Sequence, residues 1–461
     1  MAHPFRSRSW VAPAATACFL ALTALFALPG PAHPASQLQT PGAPNILFII
    51  TDDQPADSMS VMPDTMRIFG AGGTRFTNFY DDTPLCCPSR GSFWNGQYAH
   101  NHGVKTNGDP TAEENYPQWT AIQSYLKNAG YRTALVGKYW NKWPLRTAPP
   151  NYDKYLFMTG TYWNSYFNLN GAVKQIPGYT TDVLGTYAVQ FLKGFEQNDA
   201  QPWFLYVAPE APHAPYTPST AYQDAAVPSW SGDPAVFETD ESDKPPAVRS
   251  RSATFSKASS VRRQQLRTLM SVDDMVKEIF DELAALGEAS NTLAVYTTDN
   301  GYMWGEHGII DKRFPYTQSV KLPMFVRWPG HVAAGAVDDR ITANVDVEPA
   351  LLSAAGITRK HVIDGTSLFS TSSRNRLLLE YFLSPDSNVP SWAADLTKTH
   401  EYTEWYDTSG NITFREYYDL TNDPWQLTNM LKDGDLSNNP NVTALHTTLT
   451  ADRSCAGSTC P

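Results

Sequence analysis

Cysteine is scarce in this chain, with five among 461 residues, and none of them forms a CxxC pair. That spacing excludes the common thiolate zinc sites and the dithiol redox motif. A basic surplus is also missing. Thirty-five Lys and Arg face 46 Asp and Glu, for a formal net charge of −11, which argues against a nucleic-acid-binding protein. Charged residues make up only 18% and hydrophobic ones 42%, so the chain can bury a sizeable core, and its length suits one large domain with a smaller one. Beyond the N-terminus no apolar run approaches membrane-spanning length, which leaves no stable membrane anchor.

The N-terminus holds the one long apolar run. Arg6 and Arg8 precede "VAPAATACFLALTALFAL", and "PGPAHPA" follows with small residues suited to cleavage. Residues 1–36 therefore read as a signal peptide rather than the rival membrane anchor, which implies a secreted or periplasmic protein. Cys18 lies inside that run, away from any lipidation box. The mature chain would keep Cys86, Cys87, Cys455 and Cys460, and the tail "CAGSTC" can close on itself through a tight turn. Cys86 and Cys87 are then left without partners, because a bond between neighbours strains the peptide. The pair in "PLCCPSRGSFWNG" is left as core filling or chemistry.

Along the chain, apolar runs alternate with helical patterns. "NILFII" ends at Asp52 and Asp53, and "RTALVG" runs up to Lys138. "WFLYVA" leads into a proline-rich loop with His213, and "NTLAVYTT" ends at Asp299 and Asn300. Continuous apolar runs of this kind suit strands buried on both faces. Trp119 to Asn128 has helical spacing, and residues 261–286 show the clearest apolar helical face, stopped by Gly287. The alternation predicts an α/β fold with a mostly parallel sheet. Residues 216–260, rich in Pro, Ser, Asp and Arg, read as a long surface excursion. After about residue 370 the texture becomes aromatic and β-branched around "DTSGN", predicting an antiparallel hairpin in a small C-terminal α+β domain. The expected organisation is a catalytic domain over 43–370 and a small domain with its tail over 371–461.

In open α/β sheets, ligands bind at the C-terminal strand ends, where Asp52, Asp53, His213, Asp299 and Asn300 all fall. Hard oxygen donors without histidine pairs favour Ca²⁺ or Mg²⁺ over zinc. Arg90, Lys138 and Lys312 are candidate anion binders, although each taken singly reads as a solvated charge. Together these residue types describe a site for a tetrahedral oxyanion ester, sulfate or phosphate.

At "CCPSR" the chain resembles the type I sulfatases, whose signature is Cys-x-Pro-Ser-Arg. The likeness continues through "PNILFIITDDQ", "GQYAHNH", "GYRTALVGKYWNK", "APEAPHAPYTP", "TTDNGYMWGEHGIIDKR" and "EYYDLTNDPWQLTN". The vicinal cysteines, "HNH" and "GKYWN" look most like the N-acetylglucosamine-6-sulfatase and heparan 6-O-endosulfatase branch. The resemblance implies an alkaline-phosphatase-like fold and hydrolysis of sulfate monoesters, of a sulfated small molecule or glycan. It also implies a maturation enzyme that oxidises Cys86 to formylglycine, whose hydrate is the nucleophile. Asp52, Asp53, Asp299 and Asn300 would bind Ca²⁺ with residue 86, Arg90 would hold the diol, Lys138 and Lys312 would clamp sulfate, and His213 would assist the leaving alcohol. Two other readings share these motifs. One is an arylsulfatase or a formylglycine-dependent phosphodiesterase or phosphonate monoester hydrolase, and the other a catalytically silent glycan-binding relative.

The chain departs from the family in three places: "GSFWNG" follows the signature, Trp140 stands where many arylsulfatases have histidine, and Met303 follows "NGY". "HNH" either lines the pocket or packs, and His307 is a weaker candidate for substrate contact. Asp273 and Asp274 read as surface charges on the long helix.

Overall fold

The computed structural model describes residues 42–158, 160–197 and 200–461. The predicted signal peptide and Cys18 lie outside the described residues. No helix among the described residues is long and apolar enough to cross a membrane.

Five strands form the parallel centre of a ten-stranded sheet: β1 (Asn45–Thr51), β2 (Arg132–Lys138), β3 (Lys154–Met158), β4 (Trp203–Ala208) and β5 (Thr292–Thr298). Their spatial order is β5-β1-β4-β2-β3, with all four pairings parallel. Antiparallel and short edge strands complete the sheet on both sides, so it is mixed at its margins. β1 shows why its sequence has no polar alternation. Leu47 and Ile49 enter the core on one face, and Ile46, Phe48 and Ile50 enter the core on the other.

Helices cover both faces. On the first lie α-helices Thr180–Glu196 and Phe255–Leu286, and on the second lie Cys86–Asn95, Ile122–Asn128 and Val347–Ala354. The long helix begins six residues before the predicted start at 261, because the Thr254 side chain accepts from the Lys257 amide and caps it there. Gly287 ends it in the left-handed conformation, as predicted. Asp273 is not a surface charge. It is 5% exposed and its carboxylate accepts from the Asp64 and Thr65 amides and the Thr65 hydroxyl, so the helix holds the loop beyond β1. Asp274 does face outward, where it accepts from the Tyr222 hydroxyl.

The C-terminal part contains a four-stranded antiparallel sheet, Leu377–Tyr381, Trp392–Leu396, His400–Tyr406 and Ile412–Asp419. The last two form the predicted hairpin. Cys455 and Cys460 are joined in a disulfide, and Cys86 and Cys87 are free. The 216–260 segment has little regular structure, as expected, but it is pinned rather than loose. Lys244 within it is fully buried, bonded to Asp243, Glu238 and the Leu427 carbonyl.

Candidate active site

The helix Cys86–Asn95 starts at the C-terminal edge of the sheet, with extended Leu85 before it and left-handed Gly96 after it. Every residue in it is buried. Its amide ends carry partial positive charge, and Cys86 occupies the first helical position. Gly91 lets the following turn pack: a Cβ there would lie 2.7 Å from the His102 ring. That contact resolves "HNH". His102 fills the space against Gly91 and lies 3.2 Å from the Ser92 hydroxyl, and burial lowers its pKa to about 3. His100 binds Glu380 at 3.0 Å and the Cys455 carbonyl at 2.9 Å, tying the disulfide tail to the short helix Ala99–His102. Both histidines pack.

The two cysteines point to different places. The Cys86 thiol lies 3.0 Å from the Lys312 ammonium and 3.5 Å from Asp52 Oδ1. Burial first, and then the Asp52 charge, push its pKa up to about 12 against Lys138 and Lys312. The Cys87 thiol donates to Glu113 Oε1 at 3.1 Å and accepts from the Asn141 amide at 3.4 Å, within the apolar cluster beneath the helix.

Acids and amides arrive from the strand ends. Asp52 and Asp53 follow β1, Lys138 ends β2, and Asp299 and Asn300 follow β5. Asp52, Asp53, Cys86 and His213 offer ligand atoms that all lie within 4.8 Å of one another. Asp53 has a left-handed backbone (φ 63°), which turns its amide onto Asp299 Oδ1 at 3.2 Å. Its own Oδ1 accepts from Asn300 Nδ2 at 2.6 Å and from the Lys312 ammonium. The fully buried Arg90 binds Asp299 Oδ2 through Nε (2.9 Å) and Nη2 (2.8 Å), and donates to the Tyr206 hydroxyl at 3.1 Å. Lys138 pairs with Asp52 Oδ2. Burial favours a neutral Asp52, but Lys138, then His213, Arg90 and Lys312, hold its carboxyl well below the usual range. Asp299 moves the other way, raised by burial and by Asp52 despite Arg90. For Lys138, burial opposes the charge, but Asp52, Cys86 and Glu210 together outweigh it and raise its pKa well above the usual lysine value.

His213 stands at the mouth, partly exposed, on a loop bounded by cis peptides before Pro212 and Pro215. Its Nδ1 donates to the Ala214 carbonyl at 2.8 Å, and its Nε2 lies 3.7 Å from Asp53 Oδ2. The structure thus brings all nine predicted residues into one place. A cleft of about 250 Å³ opens from Lys138 and His213, lined further by Asn107, Asn141, Lys142, Glu210 and Asp386. Sequence reading missed Asn107, Lys142, Glu210, Asp386 and the Arg90 partner Tyr206. Of these, Glu210 in "APEAPH" and Lys142 in "GKYWNK" stand near residues singled out beforehand.

The departures also find places. Trp140 is buried edge-on against Trp94 at 4.6 Å and also lines the cleft beside Asn141, whose buried Oδ1 has no hydrogen-bond partner within the protein. Met303 is fully buried in the cluster beneath the C-terminal sheet and does not line the cleft. His307 is fully buried too, paired with Glu238 and packed on Tyr316.

Gly137 sets the direction of Lys138. It is left-handed (φ 111°), and a Cβ would lie 2.1 Å from the Ala208 carbonyl oxygen of the adjacent strand. Gly137→Ala is expected to destabilise the protein by about 3 kcal/mol or more, read as a lowered urea midpoint. A midpoint within error of the parent would show that the strand pair can open there.

Comparison with known proteins places this geometry. The sulfatase family profile matches residues 44–357, and a profile described as N-sulphoglucosamine sulphohydrolase, C-terminal, matches residues 305–454. An extracellular sulfatase SULF-1 homolog of Drosophila melanogaster is 35% identical over 374 residues, 75% of this chain but only 32% of that protein. Human N-acetylglucosamine-6-sulfatase is 30% identical over 486 residues, covering 90% of this chain and 86% of the relative. Among solved structures, one described as in complex with its substrate D-glucosamine-2-N,6-O-disulfate shares the fold at TM-score 0.77 and 23% identity, covering 88% of this chain and 97% of that one. The chain belongs to the sulfatase family.

Proposed function

We propose that this protein hydrolyses sulfate monoesters of a sugar, of the N-acetylglucosamine-6-sulfate type, to an alcohol and sulfate. One observation carries the reading. Residue 86 at a helix N-terminus, the cations Arg90, Lys138 and Lys312, and four oxygen-donor side chains converge where a cleft opens.

Asp52, Asp53, Asp299 and Asn300 would hold Ca²⁺, or Mg²⁺ with the same donors. The fit is supported by chemistry: all four offer hard oxygens, and the buried Asn300 Oδ1 has no hydrogen-bond partner within the protein. Such an ion supplies Lewis acidity toward a sulfate oxygen. Oxidation of Cys86 to formylglycine would supply, as its hydrate, one hydroxyl to attack sulfur and a second to release sulfate.

The chain's own groups do the rest. Arg90 fixes the Asp299 carboxylate beside residue 86. Lys138 and Lys312 neutralise sulfate oxygens in a buried site, where charge is weakly screened. His213, oriented through its Nδ1–H to the Ala214 carbonyl, presents Nε2 at the mouth. When that nitrogen is protonated it can give its proton to the departing alcohol oxygen. The same reading assigns catalysis to residues 43–370, a small supporting domain to 371–461, and export to the N-terminal 36 residues.

The test compares esters. Enzyme co-produced with a formylglycine-generating enzyme should release sulfate from N-acetylglucosamine 6-sulfate with kcat/KM at least about 100-fold above that for phosphate mono- or diesters (about 2.7 kcal/mol). Faster phosphate-diester cleavage would make it a phosphoesterase. Sugar binding without turnover, with residue 86 converted, would make it a binding protein.

A further inference from the structure

A second cavity, of about 770 Å³, lies on the C-terminal sheet, and Tyr381, Phe382, Asn388, Tyr406, Asp407 and Arg453 form its sides. It adjoins the candidate active site through one segment: Asp386 lines the catalytic cleft, while Phe382 and Asn388, on either side of it in sequence, line this groove. Gly108 of the cleft packs near Pro385 of the same segment.

The charges along the groove are unequally committed. Glu380 gives both carboxylate oxygens to His100 at 3.0 Å. Asp407 is satisfied by its own turn, accepting from the Ser409 and Asn411 amides at 2.8 Å and from Asn411 Nδ2 at 3.0 Å. Among the described residues, Arg453 makes no salt bridge. It lies exposed, its guanidinium over the Tyr406 ring at 3.9 Å. Lys105, two residues before the cleft residue Asn107, lies over Phe382, 4.8 Å from the ring centre, and makes no salt bridge among the described residues. Arg453 and Lys105 are thus each placed against an aromatic ring of the protein. A planar guanidinium held in this way suits bidentate contact with a carboxylate or sulfate group.

We infer that this groove is a distal subsite for an anionic glycan: a sugar chain whose reacting unit sits in the catalytic cleft continues past Lys105, and Arg453 takes a carboxylate or sulfate on a later unit. This rests on the sulfated-sugar reading of the cleft, and it gives the enzyme a preference for chains over single sugars. The two anion sources share one chemistry and are separated by the test.

Binding is measured calorimetrically on the full chain carrying Cys86→Ala, which removes turnover, with heparin-derived oligosaccharides of increasing length. The affinity should rise by about tenfold once the chain is long enough to reach the groove, and Arg453→Ala with Lys105→Ala should remove that gain while leaving monosaccharide binding unchanged. Arg453→Lys should keep part of it. Carboxyl-reduced and desulfated oligosaccharides show which anion matters, since the gain should vanish with one of them. A length-independent affinity, or a double variant that binds long chains as tightly as the parent, overturns the inference. So does a gain that survives both chemical modifications. Because the readout is binding, absence of sulfate release from the unsubstituted enzyme would count against the proposed function and leave this result standing. Both side chains are exposed, and the thermal midpoint of the double variant should match the parent. If it falls, Arg453→Gln alone, with the same loss or retention of the gain, decides.

Discussion

Cys86→Ala is expected to remove sulfate release by about four orders of magnitude or more, because it deletes the only group proposed to attack sulfur. Cys87→Ala should keep turnover within about tenfold of the parent, at a cost in stability of about 1–2 kcal/mol for a small buried cavity and a lost thiol hydrogen bond. The geometry sets this asymmetry. The Cys86 sulfur faces Asp52 and Lys312, whereas the Cys87 sulfur faces Glu113, whose other oxygen accepts from the Lys142 amide beneath the cleft. Any loss in Cys87→Ala should therefore appear mainly in KM, through the Asn141–Lys142 turn. Equal losses of kcat in both variants, with both folded, would mean that the pair does not divide its roles in this way.

The second large effect belongs to the lysines. Lys138→Met and Lys312→Met keep the aliphatic stem and remove the charge, and each should lower kcat/KM for a sulfate ester by about 10³, or about 4 kcal/mol of lost charge stabilisation. Both ammonium groups are buried against acids, Lys138 with Asp52 and Lys312 with Asp53. Each variant therefore leaves a buried carboxylate with fewer counter-charges and should lose about 3 kcal/mol of stability in the metal-free protein. Added Ca²⁺ should restore part of that loss, since the same carboxylates are proposed ligands, and should not restore activity. Activity within tenfold of the parent in Lys138→Met would remove Lys138 from the anion site.

Much of this site could be read from the sequence because it uses strand ends. An apolar run that stops at "DDQ" or "TTDNG" marks both the element and the edge it reaches, so Asp52, Asp53, Asp299 and Asn300 were legible without any contact information. The family signature singled out Cys86, but the helix that begins at it was not predicted from the sequence. What was not legible depends on distant pairing. Tyr206 sits mid-strand in an apolar run and reads as core until Arg90 is placed beside it. Asp386 reaches the cleft only because the C-terminal segment folds back over it. Asp273 looked like a surface charge because a helical pattern shows which face a residue occupies, not that a neighbouring loop donates two amides to it. His307 and Met303 stand beside functional residues in sequence, yet the turns between them send both side chains into the core under the C-terminal sheet.

The central claim is that residue 86 acts as an oxidised cysteine, and the peptide that carries it tests this most directly. Mass spectrometry of active enzyme should find the Cys86 peptide lighter than its sequence mass by about 18 Da, the change from thiol to aldehyde, with Cys87 unmodified and the converted fraction tracking specific activity. Fully active enzyme whose Cys86 remains a thiol would contradict the account.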